Sequence, residues 1–378
     1  MKTFHCDSCG ALVYFENVSC VQCGHALGFL PDIMDLAALK PAEGDLWISL
    51  AEASAGRRFR PCANGTNHGV CNWFLPAEDS HDLCEACRLN AIVPDLSVTA
   101  NVRLWHKVEV AKRRLIYGLR KLALPIDGSE ERMWPRLQFR FLIESLGSAP
   151  VLTGHESGVI TLNVSEADDL EREKIRTQLH EPQRTLVGHF RHESGHYYWD
   201  ALVANSPFHE RFRALFGDER QDYAAALQNH YNSGSATDWP ERCVSAYASS
   251  HPWEDWAESW AHYLQMVDSL ETAASFGMSL RPRHPAARTI SAEPRRALAD
   301  GANFDTLLEN WLPLTYALNS INRGTGLLDL YPYLLPPPAL EKLRLVHDVI
   351  AQAGSGFQQA KEDLIQRNGV NGLSRATF

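Results

Sequence analysis

Between residues 101 and 124 the apolar side chains Leu104, Val108, Ala111, Leu115 and Leu119 recur every three or four positions, which predicts an amphipathic helix. Its other face carries Lys107, Lys112, Arg113, Arg114, Arg120 and Lys121 and reads as solvated. Leu137, Phe139, Phe141 and Ile143 alternate with Gln138, Arg140 and Leu142, and the β-branched run 159–164 follows the turn-prone Glu156-Ser157-Gly158. Both stretches predict strands. Beyond Asp168 the longer period returns and predicts helices over 185–205, 207–216, 222–230 and 253–274, with two or more after Phe304. Pro336-Pro337-Pro338 breaks the last stretch. Residues 32–50 read as a mixed connector between two cysteine-bearing segments.

Composition narrows the class. Of 378 residues, hydrophobic types make up 45% and charged types 22%, the proportions of a folded globular chain long enough for two or three domains. A formal charge of -10 argues against nucleic acid as a partner. No apolar run reaches the roughly 18 residues of a membrane helix, and no basic segment followed by an apolar one opens the chain. The expected setting is therefore the cytoplasm, without a membrane partner. In that reducing compartment paired cysteines imply metal rather than disulfide.

Eight of the nine cysteines precede residue 90 and sort into two groups of four. Cys6 and Cys9, then Cys20 and Cys23, are two Cys-x-x-Cys knuckles at ribbon spacing, each turning two thiolates toward one zinc. Cys62, Cys71, Cys84 and Cys87 form a second group in which only the last two are a knuckle; His68 and His81 lie nearby as alternative ligands. A closed four-thiolate site has no open position for substrate, so both zincs are expected to be structural. Cys243 stands apart and is given no role.

The helix predicted from residue 185 contains His192-Glu193-Ser194-Gly195-His196. Histidines four apart share a helix face and can reach one zinc, with the glutamate between them toward the ion's open side. Two histidines leave a catalytic zinc one protein ligand short, and the segment 247–262 holds the candidates. Glu254 and Glu258 lie one turn apart after Pro252, so one can ligate while the other braces a histidine. His262 is an alternative third ligand. His189 shares the motif's face, but three ligands over seven residues would span about 10.5 Å along the axis. His251 either contacts substrate or caps the helix that follows. Trp199, Trp253, Trp256 and Trp260 read as core, and Asp218, Glu219 and Arg220 as a structural charge network.

These residues carry a resemblance. His192 to His196, with Glu254-x-x-Ala-Glu258 after 57 intervening residues, resembles the gluzincin metallopeptidases, whose third ligand is a glutamate on a second helix. Tyr247 stands seven residues before Glu254, as does the transition-state tyrosine of lethal-factor-type gluzincins. The whole chain resembles a bacterial family of zinc-binding metallopeptidases with an N-terminal zinc ribbon, through the stretches 188–200, 216–220, 251–264 and 314–323. The resemblance implies an α+β fold: a zinc ribbon over 1–30, a second four-cysteine segment over 45–95 and a mostly helical zincin-like domain over 100–378. It implies one catalytic and two structural zincs, with His192, His196 and Glu254 as catalytic ligands. Glu193 would be the general base, Tyr247 the donor to the oxyanion and Glu258 the brace. The run 159–164 would sit where zincins keep the edge strand that pairs with an extended peptide. The expected substrate is a peptide or protein, with a protein partner reached through the ribbons. A binding scaffold with a non-catalytic zinc at the histidine motif is the rival, and the unligated Glu193 argues against it.

Overall fold

The computed structural model describes residues 1–128, 135–144, 151–179, 185–284, 290–299 and 302–373. Strands β1 (Phe4–His5) and β2 (Leu12–Val13) form a small hairpin. Next come β3 (Ala26–Leu30), β4 (Asp35–Pro41), β5 (Trp47–Ser49) and β6 (Arg58–Pro61), then the short helix α1 (Ala63–His68) and β7 (Phe74–Pro76). Strands β3 to β7 make one antiparallel sheet in chain order.

The stretch read as a connector is thus the middle of a sheet. Strand β4 hides this because both its faces are buried: Leu36 and Ala38 join the main core, while Ala37 and Leu39 join a second cluster with Leu30, Phe59 and Phe74. A strand apolar on both faces shows no alternation.

Strand β8 (Asn90–Ile92) leads into helix α2 (Thr99–Lys121). Strands β9 (Gln138–Leu142), β10 (Gly154–Glu156) and β11 (Val159–Asn163) complete a mixed sheet of order β10-β11-β9-β8. Ser157 and Gly158 both have positive φ, 49° and 84°, and close β10 onto β11 as a two-residue hairpin. The run 159–164 is therefore not at the edge: β11 lies between β9 and β10, and the three-residue β10 takes the rim. A hairpin this short leaves only its turn residues as a sequence signal.

The helical part follows as α3 (Asp169–Leu179), α4 (Leu186–Leu202), α5 (His209–Phe216), α6 (Tyr223–Ser233), α7 (Trp239–Arg242), α8 (Pro252–Ser275), α9 (Phe304–Gly324) and α10 (Pro337–Leu373). Among the described residues no helix is long and apolar enough to cross a membrane.

The basic face of α2 is solvated only in part, at Lys107, Arg114 and Lys121. Lys112 is fully buried and Arg113 is 2% exposed, both against the buried carboxylate of Glu109 at 2.9 and 3.6 Å. Arg114 pairs with Glu16 and Arg120 with Glu85 in the cysteine segments, while Lys107 pairs with Asp169 and Lys121 with Glu271 in the helical part. Helix α2 fastens the two halves together, and a single hydrophobic core running from Phe4 through Tyr117 to Ile350 joins them.

Candidate metal centres and active site

Three groups of donors converge among the described residues: Cys6, Cys9, Cys20 and Cys23; Cys62, Cys71, Cys84 and Cys87; and His192, His196 and Glu254. Within each group the ligand atoms lie within 4.8 Å of one another. Sulfur atoms about 2.3 Å from a tetrahedral zinc are about 3.8 Å apart. Cys6 and Cys23 stand 3.6 Å apart, Cys9 and Cys20 3.6 Å, and Cys71 and Cys84 3.7 Å. That spacing fits zinc and excludes a disulfide, whose sulfurs would be about 2 Å apart. None of the nine cysteines is in a disulfide. His68 and His81 fall outside both groups: His68 packs on Trp105 and His81 pairs with Asp79. Cys243 is buried beside Asp255 and Lys342.

The histidine site is built where α4 crosses α8. Thr185 caps α4 by accepting the Gly188 N–H at 2.9 Å. His251 caps α8, its Nδ1 accepting the Trp253 N–H at 3.1 Å, and Pro252 takes the first helical position. Capping thus accounts for His251.

Gly195 lets the two helices approach, since a Cβ there would stand 2.8 Å from Ala257 Cα and 3.1 Å from Trp260 Cβ. Trp256 donates to the Gly195 carbonyl at 2.9 Å and Trp260 to Ser194 Oγ at 3.1 Å. Both indoles are fully buried and act as core, whereas Trp199 and Trp253 are half-buried, with Trp253 4.3 Å from the His196 ring.

Glu254 Oε2 lies 2.9 Å from His192 Nε2 and Oε1 lies 3.5 Å from His196 Nε2. Nitrogen and oxygen ligands of a tetrahedral zinc are about 3.3 Å apart, so the donor set fits the ion. Burial opposes a charge on Glu254, but the two imidazoles outweigh it and hold the carboxyl well below its usual range. His192 Nδ1 meets Glu258 Oε1 at 2.8 Å, and Ser245 Oγ donates to Glu258 Oε2 at 2.5 Å. Burial works against the Glu258 carboxylate too, yet the His192 hydrogen bond and charge bring it down to about 2. Glu258 thus holds the far nitrogen of His192.

Glu193, next to His192 on α4, is buried. Tyr247 lies on a short 3-10 turn ahead of α8, its ring 5.9 Å from His192. Burial, followed by the nearby carboxylates Glu254 and Glu193, keeps its hydroxyl protonated and hence a donor. His262 is elsewhere, with Nδ1 2.8 Å from the Tyr331 hydroxyl. His189 pairs with Glu166 at 2.8 Å. Glu219 takes Arg213 and His209, and Asp218 takes Arg220, a charge network apart from the three donor groups.

Sequence reasoning missed three residues at this site. They are Ser245 behind Glu258, His155 on β10 with its ring stacked 6.4 Å from His196, and Tyr223, whose hydroxyl donates to Glu254 Oε1 at 2.6 Å. None has a spacing that marks it, because each reaches the site from another element.

A family model described as "Putative zinc-binding metallo-peptidase" matches residues 101–349, and a "zinc-ribbon domain" model matches residues 3–98. The chain is 42% identical over 361 residues to an "Uncharacterized protein" of Mycobacterium tuberculosis and to one of Mycobacterium bovis, covering 95% of this chain and 98% of each relative. No solved structure matches it.

Proposed function

The chain belongs to the "Putative zinc-binding metallo-peptidase" family, and from that premise we propose that it hydrolyses peptide or related amide bonds as a gluzincin-type, zinc-dependent enzyme. The observation that carries this reading is Glu193, a buried carboxylate set between two histidines and outside the donor group they form with Glu254. A structural ion would have no use for it. A zinc held by His192, His196 and Glu254 would supply Lewis-acid polarisation of the scissile carbonyl and of a water.

Glu193 takes the proton of the attacking water and delivers it to the leaving amine. Tyr247 donates to the carbonyl oxygen as negative charge develops there. Glu258 keeps His192 in the tautomer that presents Nε2. Among the described residues β10 is an outer strand of its sheet, along which an extended peptide would pair. Substrates in this reading are peptides or proteins, and two four-cysteine groups spaced for zinc rather than for disulfides favour a reducing compartment such as the cytoplasm.

Native mass spectrometry joined to a peptide-library assay tests the reading. The protein is expected to carry three zincs and His196→Ala two, with Glu193→Gln keeping three and losing cleavage by about 10² to 10⁴-fold. Two zincs in both the protein and His196→Ala, or cleavage retained by Glu193→Gln, would overturn it in favour of a non-catalytic scaffold.

A further inference from the structure

Helix α6 buries none of its side chains, yet its first residue reaches the most deeply buried ligand of the histidine site. Tyr223 lays its ring against His251 at 5.2 Å and Trp253 at 5.8 Å, and its hydroxyl donates to Glu254 Oε1 at 2.6 Å. The other oxygen, Oε2, stands 2.9 Å from His192 Nε2, whereas Oε1 is farther, 3.5 Å, from His196 Nε2. A carboxylate can take a zinc with one oxygen or with two. Engaging one oxygen in a hydrogen bond restrains the carboxylate's rotation and makes that oxygen a weaker metal donor.

We propose that Tyr223 is a positioning residue: it occupies Oε1 of Glu254 so that the carboxylate offers zinc only Oε2, which keeps the fourth coordination position free for water. The inference rests on His192, His196 and Glu254 being the zinc ligands.

The test compares the full chain with Tyr223→Phe, which keeps the ring and loses only the hydroxyl, and with Gln228→Ala, an exposed change on the same helix. Competition with a chelator is expected to show the histidine-site zinc held about tenfold more weakly in Tyr223→Phe, with both ribbon zincs retained and Gln228→Ala unchanged. With cobalt(II) in the histidine site, the visible absorption of Tyr223→Phe is expected to weaken as a fifth ligand atom enters a four-coordinate ion. An unchanged chelator competition or an unchanged cobalt spectrum in Tyr223→Phe overturns the proposal. Absence of a histidine-dependent zinc in the unmodified chain would instead remove the ligand assignment itself.

Discussion

In the cysteine segments a Cys-x-x-Cys turn supplies two ligands at once, and four sulfurs close each group. In the histidine site two donors share one helix and the third comes from α8, with the Tyr247 ring 5.9 Å from His192. The first arrangement draws its geometry from local turns, the second from the packing of two helices. In the reading proposed above, metal in the first arrangement would be part of folding, whereas in the second the packed helices would aim donors at an ion with one position left for water.

Three changes break or sharpen that contrast. The largest effect is expected from Cys84→Ser, because a structural zinc can contribute on the order of 10 kcal/mol of folding free energy and this site lies under α2, with Cys87 Sγ 4.0 Å from Glu109. Native mass spectrometry should show one zinc lost, and the thermal midpoint should fall steeply. Full zinc content in that variant would undo the assignment.

Gly195→Ala comes next. Its Cβ would force α4 and α8 apart, costing about 1–3 kcal/mol in a urea melt and weakening only the histidine-site zinc. Equal weakening of the ribbon zincs would blur the distinction drawn here. Smallest is Glu258→Gln, which keeps an acceptor near His192 Nδ1 but removes its charge; chelator competition should show about tenfold weaker zinc at that one site. An unchanged affinity would leave Glu258 a packing residue.

Much of the helical half was legible in the chain. Predicted helices over 185–205 and 253–274 appear as Leu186–Leu202 and Pro252–Ser275, because a period near 3.6 and the caps Thr185 and His251 are local signals. Strand β9 was legible through alternation, and β11 through its β-branched run and the turn before it. Strand β4 was not, since burial on both faces erased its pattern, and neither was the fate of Lys112 and Arg113, which depends on Glu109 and on the cysteine segment covering it.

The sequence by itself determined the donors and their local spacing: three Cys-x-x-Cys turns, two histidines one helical turn apart, and a glutamate between them. Covalent geometry fixes distances over three or four residues, so such motifs can be read without a fold. The tertiary structure alone decided that Glu254 meets both Nε2 atoms while Glu258 turns to Nδ1, that β10 and not β11 forms the sheet's rim, and that Tyr223 reaches Glu254 from another helix. The histidine–glutamate contacts join residues tens of positions apart, and the packing of α4 on α8, through Gly195 and the buried Trp256 and Trp260, sets their distances.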